Sequence, residues 1–94
     1  MEAILGQSDN PNSSQSNIKI QKKQVVNSKS LGAIVQKVRK QQQLTQLDVA
    51  LVVNSGNRFL SELENGKPTV QLQKTLDTLQ ALGIKIYLEW VDEQ

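Results

Sequence analysis

Apolar residues recur at the spacing of an α-helix in four stretches of this chain, all of them between residues 30 and 83. The first predicted helix covers residues 31–42, with Ser30 as its N-cap. The fourth covers residues 70–82, with Thr69 as its N-cap and Gly83 as its C-terminal stop. Their apolar faces are expected to form most of the core, and they consist of Leu31, Ile34, Val35 and Val38 in the first helix and Leu72, Leu76, Leu79 and Leu82 in the fourth.

The second and third predicted helices are separated by a short turn. Thr45 is a good N-cap, and Asp48 can complete a capping box, so the second helix begins at Gln46. The turn covers residues 54–56, because Asn54 tolerates the left-handed conformation that such turns often need. The third helix covers residues 57–64 and is followed by a helix-ending glycine. Two short helices joined in this way form a helix-turn-helix, whose main use is to place one helix in the major groove of DNA.

The second predicted helix carries two sets of apolar residues. One set is expected to be buried and consists of Val49, Ala50 and Val53. Leu47 and Leu51 lie one turn apart on a different side of the helix. We expect this pair to belong to the core, with a contact surface for another molecule as the alternative.

The third predicted helix separates an apolar face from a polar face. The apolar face is expected to pack on the domain and consists of Phe59, Leu60 and Leu63. The polar face consists of Asn57, Arg58 and Ser61. Arginine suits guanine, asparagine suits adenine and serine suits either, so this face is a candidate for reading base edges. An ordinary solvated helix surface is the alternative.

Residues 84–91 alternate in a way that predicts a strand, with one apolar face made of Ile84, Ile86, Leu88 and Trp90. A lone strand leaves its backbone groups unpaired, so it must pair with residues 18–26 or with a second copy of itself. Pairing with a second copy gives a two-fold homodimer, with Trp90 in the dimer core or, alternatively, as an anchor for another protein. The predicted fold class is all-α with a small β addition: a four-to-five-helix domain plus a C-terminal strand that pairs in a dimer.

These elements divide the chain into four segments. Residues 1–17 are rich in serine, asparagine and glutamine and predict a disordered arm. Residues 18–29 predict an extended or partly ordered segment, and residues 30–83 the helix-turn-helix domain. Residues 84–94 combine the dimerisation strand with an acidic tail.

Composition narrows the function classes. The chain has 94 residues, with neither cysteine nor histidine, which removes disulfides, thiolate metal sites and the commonest general base. Glu62 and Glu64 are two residues apart on a helix and point in different directions, so they form no catalytic pair. We therefore expect no enzyme activity, cofactor, metal or small-molecule substrate. A membrane span is not expected either, because every apolar run is too short, and we predict a soluble, cytoplasmic protein.

The net charge of +2 hides a strong asymmetry along the chain. No acidic residue occurs between Asn10 and Leu47, whereas this stretch contains Lys19, Lys22, Lys23, Lys29, Lys37, Arg39 and Lys40. A cationic front half can follow phosphates. The end of the chain has the opposite sign, with Glu89, Asp92 and Glu93, and is expected to point away from nucleic acid.

From residue 31 to residue 90 the chain resembles the Xre/Cro-type helix-turn-helix repressors. The segments LTQLDVA and LSELENGKP stand where that family has TQ-x-x-LA and IS-x-x-E-x-G-K. The longer segment RFLSELENGKPTVQLQKTLDTLQALGI is similar to the HipB antitoxins. The combined motif is more specific for fold than for function, because free-standing repressors share most of it.

The resemblance implies a dimeric antitoxin that binds palindromic half-sites of double-stranded operator DNA in its own promoter and neutralises a HipA-type serine/threonine kinase toxin. The alternative is a free-standing phage-type or chromosomal repressor without a toxin. A protein-interaction module that has lost DNA binding fits poorly with Arg58 and the basic front half.

The resemblance also implies roles for individual residues. Gln46 falls at the family's phosphate-contacting glutamine, and Gly56 replaces a serine or threonine at a groove-reading position, which leaves its backbone N–H for any contact. Arg39 and Glu64 fall at the family's structural ion pair, so Arg39 is expected to be a scaffold residue. The predicted DNA-binding residues are Thr45, Gln46, Gly56, Asn57, Arg58, Ser61, Lys37, Lys40 and Lys67.

Overall fold

The computed structural model describes residues 18–93, and this range contains four α-helices. They are α1 (Ser28–Gln41), α2 (Gln46–Val52), α3 (Asn57–Glu64) and α4 (Leu72–Ala81). The start of α2 and both ends of α3 lie where the sequence predicted them, so the helix-turn-helix is confirmed as α2, the turn and α3. The predicted disordered arm, residues 1–17, lies outside the described residues.

Capping boxes fix the starts of α1 and α2. The Thr45 hydroxyl accepts from the Asp48 N–H at 3.0 Å, and the Asp48 carboxylate accepts from the Thr45 N–H at 2.8 Å, as predicted. The predicted cap of the first helix was wrong, because α1 begins three residues earlier, after the N-cap Asn27. Ser30 is the N3 residue of that capping box: its N–H donates to Asn27 Oδ1 at 2.8 Å. Serine can fill either position, and sequence alone favoured the wrong one.

The predicted start of the fourth helix was also wrong. Thr69 lies in a turn with Pro68, and α4 begins at Leu72 after Gln71, whose side chain makes no capping bond. The chain is still turning at the position where the sequence placed the helix. The first turn of α4 is closed instead by Thr75, whose hydroxyl donates to the Gln71 carbonyl at 2.7 Å.

All four described helices end in a Schellman motif. In each, the residue after the C-cap has a positive φ: 60° at Gln43, 54° at Asn54, 81° at Gly66 and 78° at Gly83. At the end of α4, for example, the Gly83 N–H donates to the Gln80 carbonyl at 3.0 Å, and the Ile84 N–H donates to the Leu79 carbonyl at 2.8 Å. The sequence predicted three of these helix ends from asparagine and glycine. It missed Gln43, because glutamine rarely adopts a left-handed conformation.

The core lies where the four helices meet and consists of Val35, Val49, Ala50, Leu60, Leu63, Leu79 and Leu82. The predicted burial of Leu47 and Leu51 was wrong: they are 55% and 70% exposed. The predicted core face of the fourth helix was half wrong, because Leu72 and Leu76 are exposed.

Two threonines replace these leucines in the core. Thr75 and Thr78 are buried, and the Thr78 hydroxyl donates to the Lys74 carbonyl at 2.8 Å. Because each hydroxyl bonds to the preceding turn, its burial leaves no polar group unsatisfied. The buried stripe of α4 is therefore rotated from the one that hydrophobicity alone predicts.

Helix α1 packs very closely against the backbone of α3 at Gly32. A Cβ atom on Gly32 would lie 2.3 Å from the Leu63 carbonyl oxygen and 2.7 Å from that of Glu64. A larger residue would push the two helices apart. Glycine here holds the C-terminal end of α3 against the N-terminal half of α1.

Residues 84–93 contain no assigned strand, and within this single chain residues 18–26 make no ladder with them. The all-α part of the predicted fold class is confirmed, whereas the C-terminal strand stays a prediction. The apolar side chains of the segment project into solvent, most of them more than half exposed: Ile86, Tyr87, Leu88, Trp90 and Val91.

Candidate nucleic-acid interface

A buried ion pair fixes α3 against α1. Arg39 Nε lies 2.5 Å from Glu64 Oε2, Arg39 Nη2 lies 2.9 Å from Glu64 Oε1, and the two side chains are 8% and 1% exposed. Arg39 Nη1 also donates to the Leu44 carbonyl at 2.7 Å, in the loop between α1 and α2. All three nitrogens of the guanidinium therefore donate hydrogen bonds within the fold. This arrangement supports a scaffold role for Arg39.

The electrostatics of the pair follow from this geometry. Burial raises the pKa of the Glu64 carboxyl, but hydrogen bonds from Arg39 and Gln46 outweigh burial and hold this pKa below its usual value. The same hydrogen bond raises the pKa of Arg39. Both groups are therefore charged at neutral pH, and each compensates the other.

Gln46 joins this network from the first turn of α2. Its side-chain nitrogen Nε2 donates to Glu64 Oε1 at 3.0 Å, and the residue is half-buried. Glu64 thereby links side chains from α1, α2 and α3. The suggested phosphate contact of Gln46 stays a prediction, and the hydrogen bond to Glu64 fixes the orientation of its side chain.

The N-terminal end of α3 carries the candidate base-reading face. Gly56 is its N-cap, with an extended backbone and no side-chain capping bond. Asn57 and Arg58 in the first turn are exposed, and the Arg58 side chain is 88% exposed. Ser61, one turn further along, is half-buried and accepts from the Asn65 side-chain amide at 3.4 Å. An exposed helix N-terminus with these side chains suits the major groove, where its partial positive charge also favours phosphates.

Sequence reasoning missed Glu62 as a member of this surface. Glu62 Oε2 accepts from Arg58 Nε at 3.2 Å and from Lys67 Nζ at 3.1 Å. The hydrogen bond from Lys67, helped by the one from Arg58, lowers the pKa of Glu62. Since the Arg58 bond uses Nε, the outer nitrogens of the guanidinium can still bind a guanine. The i, i+4 spacing of Arg58 and Glu62 was the available sequence signal.

The remaining predicted phosphate contacts lie on α1, at the start of α2 and just after α3. Lys37 and Lys40 are exposed and lie three residues apart on α1, so they share one side of that helix. Thr45 is exposed at the start of α2, and Lys67 is 45% exposed just beyond α3. All four residues are exposed, and their contacts with DNA stay predictions.

Two further observations bear on other site types. Among residues 18–93, no helix has both the length and the apolar character needed to cross a membrane. In the same range, no group of three or more metal-ligating side chains is arranged to hold an ion.

Sequence comparison decides the family. An uncharacterized HTH-type transcriptional regulator of Sinorhizobium fredii (strain NBRC 101917 / NGR234), y4mF, is 50% identical to this chain over 56 residues, which cover 60% of this chain and 74% of that protein. The chain belongs to the HTH-type transcriptional regulators. This membership confirms the prediction of a DNA-binding regulator rather than an enzyme. No protein-family model matches this regulator.

Similar solved structures are HipB chains. The HipB chain of the HipB-O4 20mer complex has a TM-score of 0.67 and 21% identity, covering 74% of this regulator and 99% of that chain. The HipA-HipB-O2-O3 complex gives a TM-score of 0.68 at 21% identity, with the same coverage. The HipB-O1-O2 complex gives 0.66 at 23% identity and covers 70% of the regulator and 96% of that chain. At these identities the likeness shows the fold alone, which is the HipB-like helix-turn-helix fold that the motifs predicted.

Proposed function

We propose that this regulator is an antitoxin of a type II toxin-antitoxin pair, which represses its own operon and neutralises a HipA-type serine/threonine kinase. The observation that carries the proposal is the correspondence of the fold with 99% of the HipB chain in the HipA-HipB-O2-O3 complex. The exposed polar face at the start of α3 supports the DNA-binding half of the proposal.

Operator recognition would use α3 in the major groove. Arg58 binds guanine through its outer nitrogens, while Asn57 and Ser61 bind neighbouring base edges. The phosphate backbone is held by the Gly56 N–H and by the side chains of Thr45, Gln46, Lys37, Lys40 and Lys67. The Arg39–Glu64 pair keeps α3 at a fixed angle to the rest of the domain, which sets the register on DNA.

The active form would be a two-fold homodimer on palindromic half-sites. Support comes from the exposed apolar side chains after α4 and from a cleft of about 470 Å³ between α4 and the segment that follows it. Apolar residues dominate the lining, including Leu76, Leu79, Ile84 and Ile86. The same segment of a second copy, with Leu88 and Trp90, would pair there and cover this surface.

A free-standing repressor is the second candidate. It is supported by the name of the Sinorhizobium fredii relative, which refers to transcription regulation alone. Both candidates use the same DNA-binding face. They differ in whether a second protein binds the regulator.

Co-expression tests the antitoxin role. If a kinase reading frame adjoins the regulator gene, it is expressed under an inducible promoter with wild-type regulator or with the Arg58→Ala variant. The antitoxin function predicts growth arrest by the kinase alone, rescue by both forms of the regulator, and co-purification of kinase and regulator in near-equal amounts. A regulator that binds its promoter but neither rescues growth nor co-purifies with the kinase is a free-standing repressor.

A further inference from the structure

Residues 18–27 form a basic segment that projects from the domain. Every residue in this range is exposed, and the range has no regular secondary structure until the first helical residue, Ser28. It contains Lys19, Lys22 and Lys23 and no acidic residue. None of these lysines is assigned to the DNA-binding surface described above.

The basic segment joins α1 at Ser28 and Lys29, and these two residues lie against Gly66 at the C-terminal end of α3. The Ser28 hydroxyl donates to the Gly66 carbonyl at 2.9 Å. A Cβ atom on Gly66 would lie 2.6 Å from the Cα atom of Lys29. Gly66 is directly followed by Lys67, which shares Glu62 with Arg58. The segment therefore leaves the domain beside Lys67.

Its length is sufficient to pass along the DNA-binding unit. Helix α3 has eight residues and is about 12 Å long. The ten residues 18–27 can span up to about 33 Å when extended. Three lysines on such a segment can reach phosphates beyond those that the helices contact.

We infer that residues 18–27 are a basic arm that binds the phosphate backbone of duplex DNA next to the operator half-site, through Lys19, Lys22 and Lys23. The inference rests on the proposed operator binding and adds a contact to it. Bound lysines displace counterions from DNA, so each contributes to the salt dependence of binding. Phosphates carry no sequence information, so the arm strengthens binding without changing base preference.

The acidic end of the chain is the competing partner for this arm. Ile18 and Ile20 alternate with polar residues, and Glu89 lies within the predicted C-terminal strand. In this single chain the two segments form no ladder. The arm joins the domain beside Lys67, a predicted phosphate contact, and this position favours DNA over the acidic strand.

The test compares three full-length proteins: wild type, the triple variant Lys19→Gln/Lys22→Gln/Lys23→Gln, and the charge-conserving variant Lys19→Arg/Lys22→Arg/Lys23→Arg. Lys85→Gln serves as a control at an exposed lysine after α4. Affinity is measured by fluorescence anisotropy on the regulator's own promoter duplex and on a random duplex of equal length, between 50 and 200 mM NaCl. Sedimentation velocity measures the dimer in each case.

The arm predicts that the triple glutamine variant reduces the slope of log affinity against log salt on both duplexes by about 2.7 for each bound protomer, at about 0.9 per lysine. The ratio of promoter to random affinity stays unchanged, and the arginine variant and Lys85→Gln retain the wild-type slope. An unchanged slope in the glutamine variant overturns the arm. Loss of the dimer in the glutamine variant also overturns the arm, because it shows that residues 18–27 pair with the C-terminal segment instead of DNA. If wild type shows no promoter preference, the proposed operator binding fails, while the slope on random DNA still decides the arm.

Discussion

Arg58 and Lys40 are both exposed cations, but their positions predict different roles in DNA binding. Arg58 lies in the first turn of α3, whereas Lys40 lies in the last turn of α1. We expect Arg58→Ala to cost about 1–3 kcal/mol on the operator and little on random DNA, because it removes a base contact. We expect Lys40→Ala to weaken binding to both duplexes alike and to lower the salt slope by about 1 for each bound protomer.

Salt titrations on operator and random duplexes measure both effects. Lys85→Gln is the control, because this exposed lysine lies outside the predicted DNA-binding surface and on the polar face of the predicted strand. An equal loss on both duplexes from Arg58→Ala would show that Arg58 touches phosphate rather than a base.

The Arg39–Glu64 pair makes a stability prediction with a defined pH dependence. Removing one member leaves the other charge buried and uncompensated, so we expect Arg39→Ala to destabilise the fold by about 3–5 kcal/mol at pH 7. In the wild type, the lowered pKa of Glu64 means that its contribution is present above the unfolded pKa, about 4.3, and is lost as the pH falls through the folded value. In the variant, burial without Arg39 raises the pKa of Glu64, so protonation relieves its cost as the pH falls. The difference between the two proteins should therefore shrink from pH 7 to about pH 4.

Urea denaturation of both proteins at pH 7, 5 and 4 measures this difference. The pKa values of Asp48 and Glu62 are also lowered, but both carboxyls are present in the two proteins and their contributions largely cancel. Equal stabilities at pH 7 would refute the scaffold role of Arg39. A difference that stays constant with pH would refute the part assigned to Glu64.

The backbone at Gln43, at the end of α1, is strained, and a glycine substitution should relieve that strain. This residue follows the C-cap of α1 with φ of 60°, a conformation that costs a residue with a Cβ about 1–2 kcal/mol. Part of that cost is offset because glycine loses more conformational entropy on folding. We expect Gln43→Gly to stabilise the fold by about 0.5–1 kcal/mol. Asn54 has φ of 54°, and asparagine tolerates this region, so Asn54→Gly should give a smaller gain.

Thermal and urea unfolding of the two glycine variants test this ranking. Gln43→Ala is a further control, since it keeps the Cβ and should give no gain. A larger gain at Asn54 than at Gln43 would contradict the proposed origin of the strain.

Local sequence signals predicted the elements of the helix-turn-helix well, because its boundaries depend on neighbouring residues. The Thr45–Asp48 capping box and the left-handed residues Asn54 and Gly66 act within a few positions along the chain. The buried face of α4 was harder to predict. Leucine and threonine stripes lie side by side on that helix, and packing against other helices decides which one is buried.

In the predicted site, too, features set by neighbouring residues were easier to predict than features set by the packing of helices. The exposure of Asn57 and Arg58 follows from the polar face of α3 alone. The contact of Glu62 with Arg58 could have been predicted from its i, i+4 spacing, whereas the contact of Glu62 with Lys67 depends on the Schellman turn at Gly66, which brings the chain back toward α3. The role of Gln46 in holding Glu64 likewise needs the packing of α2 on α3.

In the single chain, the segment after α4 exposes large apolar side chains and has no strand partner for its backbone among residues 18–93. Trp90 and Leu88 are 74% and 81% exposed, next to the apolar cleft beside α4. An exposed apolar surface of this kind favours association, and a second copy of the same segment would satisfy both its side chains and its backbone. In the proposed dimer, the two-fold axis would duplicate the basic segment and the α3 face, so that each palindromic half-site would meet the same set of cations.

Substitution of Trp90 tests whether the apolar face of this segment forms the dimer interface. A large aromatic side chain at the centre of an interface typically contributes 2 kcal/mol or more, so we expect Trp90→Ala to raise the dimer dissociation constant by roughly 30-fold or more. Val91 is 83% exposed and falls on the opposite face of the predicted strand, so Val91→Ala should leave the dimer nearly unchanged. Sedimentation equilibrium over a range of concentrations measures both constants. If Trp90→Ala keeps the dimer but no longer rescues growth from the kinase, Trp90 anchors the partner protein, and the dimer must be held by other residues of the segment.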